Sequence, residues 1–128
     1  MAVILVTGTS GGGKTTAAVN LRDFPPAALL WAQFDDPAVR HATALVEQAH
    51  VVIVATPVYK AAYSGVLKAF LDLLPAGALT GKGVLPISTA GSLAHCLVLD
   101  YALKPVLSAL GAATFLPIAQ KSDVCLFM

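Results

Sequence analysis

The feature that most restricts the fold is a set of short apolar runs bounded by turn residues: "AVILVTG" at 2–8, "VVIVATP" at 51–57 and "GVLPIST" at 83–89. Each is rich in β-branched residues and apolar on both faces, as a parallel strand covered from both sides should be. A fourth run, "ATFLPIA" at 113–119, is weakened as a strand by Pro117. Helical patterns lie between the runs. "DPAVRHATALVEQA" at 36–49 predicts a helix capped by Asp36, with Pro37 at its first position. "SGVLKAFLDLLP" at 64–75 predicts a second, with Val66, Phe70, Leu71 and Leu74 on one side. "SLAHCLVLDYALKPVLSALG" at 92–111 predicts a long third helix with Pro105 inside it and Gly111 as its C-terminal cap. Strands alternating with helices over 1–128, a length suited to one domain, predict a doubly wound α/β sheet in three layers. Ligands of such sheets sit beyond the carboxyl ends of the strands, so the segments to inspect are 8–16, 56–65 and 89–95.

The composition narrows the function classes. Hydrophobic residues make up 57% and charged residues 12%, against about 25% charged in a typical soluble domain. The mean hydropathy is +0.78. Coverage of the surface by sister subunits, or the lack of pieces that normally cover the core, would each account for this. A membrane span over 93–119 is rejected because His95, Asp100, Lys104 and Pro105 would be costly in lipid. "MAVILVTG" has no basic lead and too short an apolar run for a signal peptide. A net charge of +1 makes no electrostatic case for nucleic acid or an anionic membrane. Cys96 and Cys125 are read as reduced thiols of a cytoplasmic protein, and the spacing of His41, His50 and His95 makes no metal site.

The segment 8–16, "GTSGGGKTT", fits the phosphate-loop pattern through Gly8, Gly13, Lys14 and Thr15. Consecutive glycines allow several N–H groups to turn inward, Thr15 or Thr16 can start a helix, and Lys14 adds a point charge. A nucleotide triphosphatase also needs a carboxylate for magnesium at the end of a second strand. The runs at 51–57 and 83–89 supply none, and Asp35 and Asp36 follow a short run interrupted by Gln33. In "ATPVYKAAYSG" at 55–65, Pro57 shapes the turn while Tyr59 and Tyr63 offer flat faces to a planar heteroaromatic ring. In "STAGSLAH" at 88–95, small residues would let a ligand approach the backbone closely. Asp100 and Lys104 form an i,i+4 acid–base pair flanking Tyr101. No Ser/His/acid or Cys/His arrangement and no carboxylate dyad stands out, so no catalytic side chain is assigned.

From about Asn20 to Leu116 the sequence resembles the NADPH-dependent FMN reductases of the flavodoxin-like superfamily, above all their alkanesulfonate-assimilation branch. The residues that carry the resemblance are "NLRDFPPAALLWAQFDDPAV", "VIVATPVYKAAYSGVLKAFLDLLP", "LTGKGVLPISTAGSLAH" and "LDYALKPVLSALGA". The resemblance implies a flavodoxin-like sheet that binds FMN, accepts hydride from NADPH and releases reduced flavin to a partner monooxygenase. It implies that Pro57, Val58, Tyr59, Lys60 and Ser64 lie along the flavin and that Thr89, Ala90, Gly91 and Ser92 approach the ring. It places Tyr101 in an irregular helical turn, on a helix that lies at a subunit interface of a homo-oligomer.

Two departures accompany the resemblance. Family members carry a serine/arginine-rich phosphate loop after the first strand, then a helix and a second strand. Here the first strand reaches "AAVNLRDF" after only a glycine-lysine loop, so the first helix and most of a strand are expected to be missing, as is the last helix after "QKSDVCLFM". Gly8, Thr9 and Ser10 carry over to the flavin phosphate loop, whereas Lys14 and Thr15 have no family counterparts and join the site only as a Walker-like phosphate grip. The expected function is NAD(P)H-dependent reduction of FMN, with hydride passing from nicotinamide to flavin. The alternatives are a phosphate-loop ATP-binding protein and a non-catalytic, truncated or chimeric flavodoxin-like domain.

Overall fold

A computed structural model describes residues 3–10, 13–92, 95, 97–117 and 124–126, with the backbone alone at 3, 5–7, 9, 10, 13–15 and 124–126. Two strands open the chain, β1 (Val3–Ser10) and β2 (Gly13–Asn20). A 3-10 turn (Leu21–Asp23) and a short helix α1 (Pro26–Leu30) follow. Next come α2 (Pro37–Gln48), β3 (Val51–Tyr59), the short β4 (Ala62–Tyr63), α3 (Gly65–Leu71) and β5 (Gly83–Thr89). A π-helical turn (Leu99–Leu103) leads into α4 (Lys104–Ala109), and β6 (Thr114–Phe115) and β7 (Val124–Leu126) end the described chain.

The α/β architecture stands as expected, with one sheet ordered β2-β1-β3-β5-β6. β3 and β5 are parallel, with Val51 opposite Gly83 and Pro57 opposite Thr89. β6 adds in parallel to the start of β5, and β7 pairs antiparallel with its end, Val124 opposite Thr89. The first strand corrects the all-parallel expectation. β1 is antiparallel both to β2 (Ser10 opposite Gly13) and to β3 (Thr7 opposite Val51, Val3 opposite Ala55). The cause lies in the connection. Two residues separate β1 from β2, whereas a parallel return needs a crossover of a dozen or more. The strand expected to be mostly absent is therefore present as "GKTTAAVN"; no helix starts at Thr15 or Thr16, in keeping with the expected loss of the first helix.

The helices follow local chemistry. Asp36 caps α2 through Oδ1, which accepts from the amides of Ala38 (2.9 Å) and Val39 (3.3 Å). At the other end of α2, Lys82 Nζ donates to the carbonyls of Glu47 (2.8 Å) and Ala49 (2.7 Å), a cation where the helix dipole favours one. α3 buries Leu67, Phe70 and Leu71, and Leu74 just beyond it is buried too; of the face read from the sequence only Val66 is exposed, its place taken by Leu67. Phe70 meets Phe24 with ring centroids 5.5 Å apart and planes tilted by 56°. Among its described residues, the long helix read over 92–111 runs as a π-helical turn at Leu99–Leu103 into regular α-helix at Lys104–Ala109. Its turn widens just before Pro105, a residue that cannot donate to the ladder and crowds the carbonyl four positions back. Gly111 ends it at φ +94, where an added Cβ would collide with Thr80 Oγ1. No helix among the described residues is long and apolar enough to cross a membrane.

Candidate functional site

The parallel register of β3 and β5 brings two loops out side by side, because Pro57 and Thr89 are opposite one another at the carboxyl ends of the two strands. Thr56, the last inward residue of β3, is 2% exposed, and its partner Ser64 is 3% exposed. The Thr56 hydroxyl donates to the Pro57 carbonyl (2.9 Å) and accepts from the Ser64 amide (3.0 Å), with the two hydroxyl oxygens 3.4 Å apart. Ser64 Oγ in turn accepts from the Leu67 amide (3.3 Å) and so caps α3. One buried hydroxyl thus ties together both ends of the segment 57–64 and leaves no buried donor there without a partner.

Between those ends the chain folds into a tight hairpin, with Val58 opposite Tyr63 and Tyr59 opposite Ala62. Its two turn residues, Lys60 (φ 51) and Ala61 (φ 62), are both left-handed without being glycine. This is the backbone that a two-residue hairpin turn requires, at a cost of about 1–2 kcal/mol per residue. Such strain persists where surrounding structure enforces it, and it gathers at ligand-holding sites. The hairpin leaves Tyr59 61% exposed, with Lys60 exposed beside it. Tyr63 differs from Tyr59: it is half-buried and packs against the core.

Across from the hairpin, Thr89, Gly91 and Ser92 are exposed and Ala90 is half-buried. A Cβ added at Gly91 would meet nothing within 4 Å, so open space lies over this loop. The π-helical turn packs against β4 and β5 and carries Tyr101, 79% exposed, at the margin of the same end of the sheet. The acid–base pair read from the sequence forms, with Lys104 Nζ 3.0 Å from Asp100 Oδ1 and 5.4 Å from the centre of the Phe115 ring. On α3, Lys68 is held protonated above its usual range, first by its hydrogen bond to Asp72 and further by the Asp72 charge. Among the described residues no group of three or more His, Cys, Asp or Glu could hold a metal ion. The side chains of Cys96 and Cys125 lie outside the described set.

The other sequence-derived residues are elsewhere. Gly8, Thr9 and Ser10 end β1, paired with Thr15, Lys14 and Gly13 of β2. Because Thr7 is opposite Val51, these residues lie past the amino end of β3. From Val51 to Pro57 is six residues, about 20 Å at some 3.3 Å per residue. A Cβ on Gly8 would meet the Gln48 carbonyl oxygen at 3.1 Å and His50 Nδ1 at 3.6 Å. The bare glycine therefore serves packing against the end of α2. The phosphate-loop geometry, a nest running into a helix, does not form at 13–20. Asp36 is engaged as the cap of α2, and the run read before it is the end of α1 followed by turns.

A family model describing NADPH-dependent FMN reductases matches residues 3–121. The chain belongs to the NADPH-dependent FMN reductase family. It is 61% identical over 97 residues to an FMN reductase (NADPH) of Escherichia coli K12, covering 76% of this chain and 51% of that one. It is 59% identical over 100 residues to an FMN reductase (NADPH) of Pseudomonas putida KT2440, covering 78% and 51%. An apo crystal structure of an NADH:FMN oxidoreductase superposes with a TM-score of 0.73 at 46% identity, over 76% of this chain and 52% of that one. The chain thus spans about half the length of the curated relatives it matches.

With a flavin as the group in question, the two ends of the sheet test differently. The loops at 57–64 and 89–92 fit a planar ring, since they combine an exposed tyrosine, a strained and anchored hairpin and open space over Gly91. The described backbone of the segment 8–16 is laid into a strand ladder past the amino end of β3 and forms no nest beside these loops. Sequence reasoning named the loops without finding their anchor. Thr56 only ended an apolar run in the sequence; its inward position and its partner eight residues on became visible in the folded strand and closed hairpin.

Proposed function

We propose that this chain is a flavin-binding domain, spanning 1–128, that reduces FMN with NADPH or NADH. The observation that carries the reading is the adjacency of two loops at the ends of parallel strands, one locked by the Thr56–Ser64 hydrogen bonds. In this reading Tyr59 offers the isoalloxazine a face. The backbone of 89–92 lies along the ring where a side chain at Gly91 would intrude, and Tyr101 borders the entrance. Bound FMN supplies the two-electron acceptor for hydride from the nicotinamide. The chain's own task is to hold one face of the ring and leave the other open to NADPH, and the proton that completes the reduced flavin comes from water at this exposed end. No side-chain acid or base is needed.

The names of the relatives support the donor and acceptor. A further match is to an NADH-dependent FMN reductase, SfnE, at 42% identity, which keeps NADH open as the donor. Delivery of reduced flavin to a monooxygenase, a cytoplasmic location and homo-oligomerisation complete the proposal. Exposed Leu30, Trp31 and Phe34 and the exposed Leu97 and Tyr101 give an oligomer apolar surface to cover. The test is FMN fluorescence titrated with protein, followed by NADPH oxidation with and without FMN. Saturable quenching and FMN-dependent oxidation are expected. A protein that leaves flavin fluorescence unchanged does not have this function.

A further inference from the structure

We infer that this chain selects flavin through its ring and not through its phosphate, so that riboflavin binds it about as well as FMN. The inference rests on the proposed flavin-binding reading and adds a specificity to it.

Three observations carry it. First, β1 is reversed, so Gly8, Thr9, Ser10, Lys14 and Thr15 stand past Val51 while the ring-holding loops begin at Pro57 and Thr89. These positions are separated by six residues of β3, about 20 Å. The ribityl chain and phosphate of FMN reach only about 10 Å at covalent bond lengths near 1.5 Å. A ring held at these loops therefore leaves its phosphate short of Gly8 and its neighbours. Second, backbone groups that a phosphate nest would turn inward are laid into a strand ladder, from Gly8 opposite Thr15 to Ser10 opposite Gly13. The space a phosphate would take at Gly8 is occupied by the end of α2. Third, the cations nearer the ring loops are single and solvated. Lys60 is exposed at the hairpin tip, and Arg22 is an exposed residue of the 3-10 turn. Charges of that kind attract a phosphate weakly and are screened at physiological salt.

The measurement is a pair of fluorescence titrations, FMN and riboflavin, at physiological ionic strength on the full chain and on Lys14→Ala and Tyr59→Ala. The expected result is a Kd ratio within fivefold of unity, unchanged in Lys14→Ala, with both flavins weakened alike in Tyr59→Ala. Because Tyr59 is exposed, that variant folds and its loss reports the ring contact. FMN binding more than fivefold tighter than riboflavin, or an FMN affinity that falls in Lys14→Ala, overturns the inference while the flavin-binding function stands. Saturable binding of neither flavin overturns both together.

Discussion

The two ends of the sheet are built from similar letters and do different things. Residues 8–16 and 88–92 are both runs of glycine, serine and threonine after an apolar strand. At the β3–β5 end the strands point the same way, so their loops meet and enclose a surface. At the β1–β2 end the chain doubles straight back, and the same residue types become a hairpin ladder whose glycine packs on a helix. In the proposed reading, the glycine-containing loop that can hold a ligand is the one whose strand emerges beside another loop. That property belongs to the topology and not to the loop.

The sharpest way to break this comparison is at the anchor. Thr56→Val keeps the shape and removes the hydroxyl, leaving the Ser64 amide and the Pro57 carbonyl without their partner in a buried place. The expected loss of stability is about 1–3 kcal/mol, read as a lower denaturant midpoint, together with weaker flavin binding. Unchanged stability would mean that water replaces the hydroxyl and that the loop is not held as described. Next in size, Tyr59→Ala should cost flavin affinity about 0.5–1.5 kcal/mol, the scale of an aromatic contact. Its unfolding midpoint should stay put, since the ring is 61% exposed. The turn itself comes third. Ala61→Gly relieves one left-handed residue, and a gain of about 0.5–1 kcal/mol is expected once the greater freedom of unfolded glycine is subtracted. Calorimetry that found Ala61→Gly less stable would show that the left-handed turn carries no strain.

What the sequence disclosed follows the same division. β3 and β5 were legible because buried parallel strands are apolar on both faces, and α2 was legible because Asp36-Pro37 is a strong start signal. β2 was hidden. "GKTTAAVN" has no apolar alternation and follows a run of glycines, and it is a strand because β1 lies two residues away and pairs with it. The direction of β1 was equally hidden, since a strand's own residues do not encode whether its neighbour is parallel; the length of the connection does. In the site, the hairpin tip went unread because Lys60-Ala61 lacks the glycine or asparagine that marks such turns. Tyr63 was misread because its neighbour Tyr59 has the same residue type and only the pairing of Val58 with Tyr63 turns it toward the core. The long C-terminal helix was legible in extent at Gly111; its widened turn around Tyr101 was expected from the family resemblance, and among the residues themselves only Pro105 signals it.

The smallest expected effect is at the opposite end and decides whether the two ends are independent. Gly8→Ala places a methyl 3.1 Å from the Gln48 carbonyl oxygen, closer than an ordinary contact, so α2 must give by a few tenths of an ångström. A loss of at most about 1 kcal/mol is expected, the size of a typical single substitution. Flavin affinity should not change, because the strain falls past the amino end of β3 and the ring loops lie past its carboxyl end. Were Gly8→Ala instead to lower flavin affinity with no loss of stability, the glycine would be approaching a ligand and not a helix. The two ends would then have to be joined by a chain running parallel through β1, against the register described.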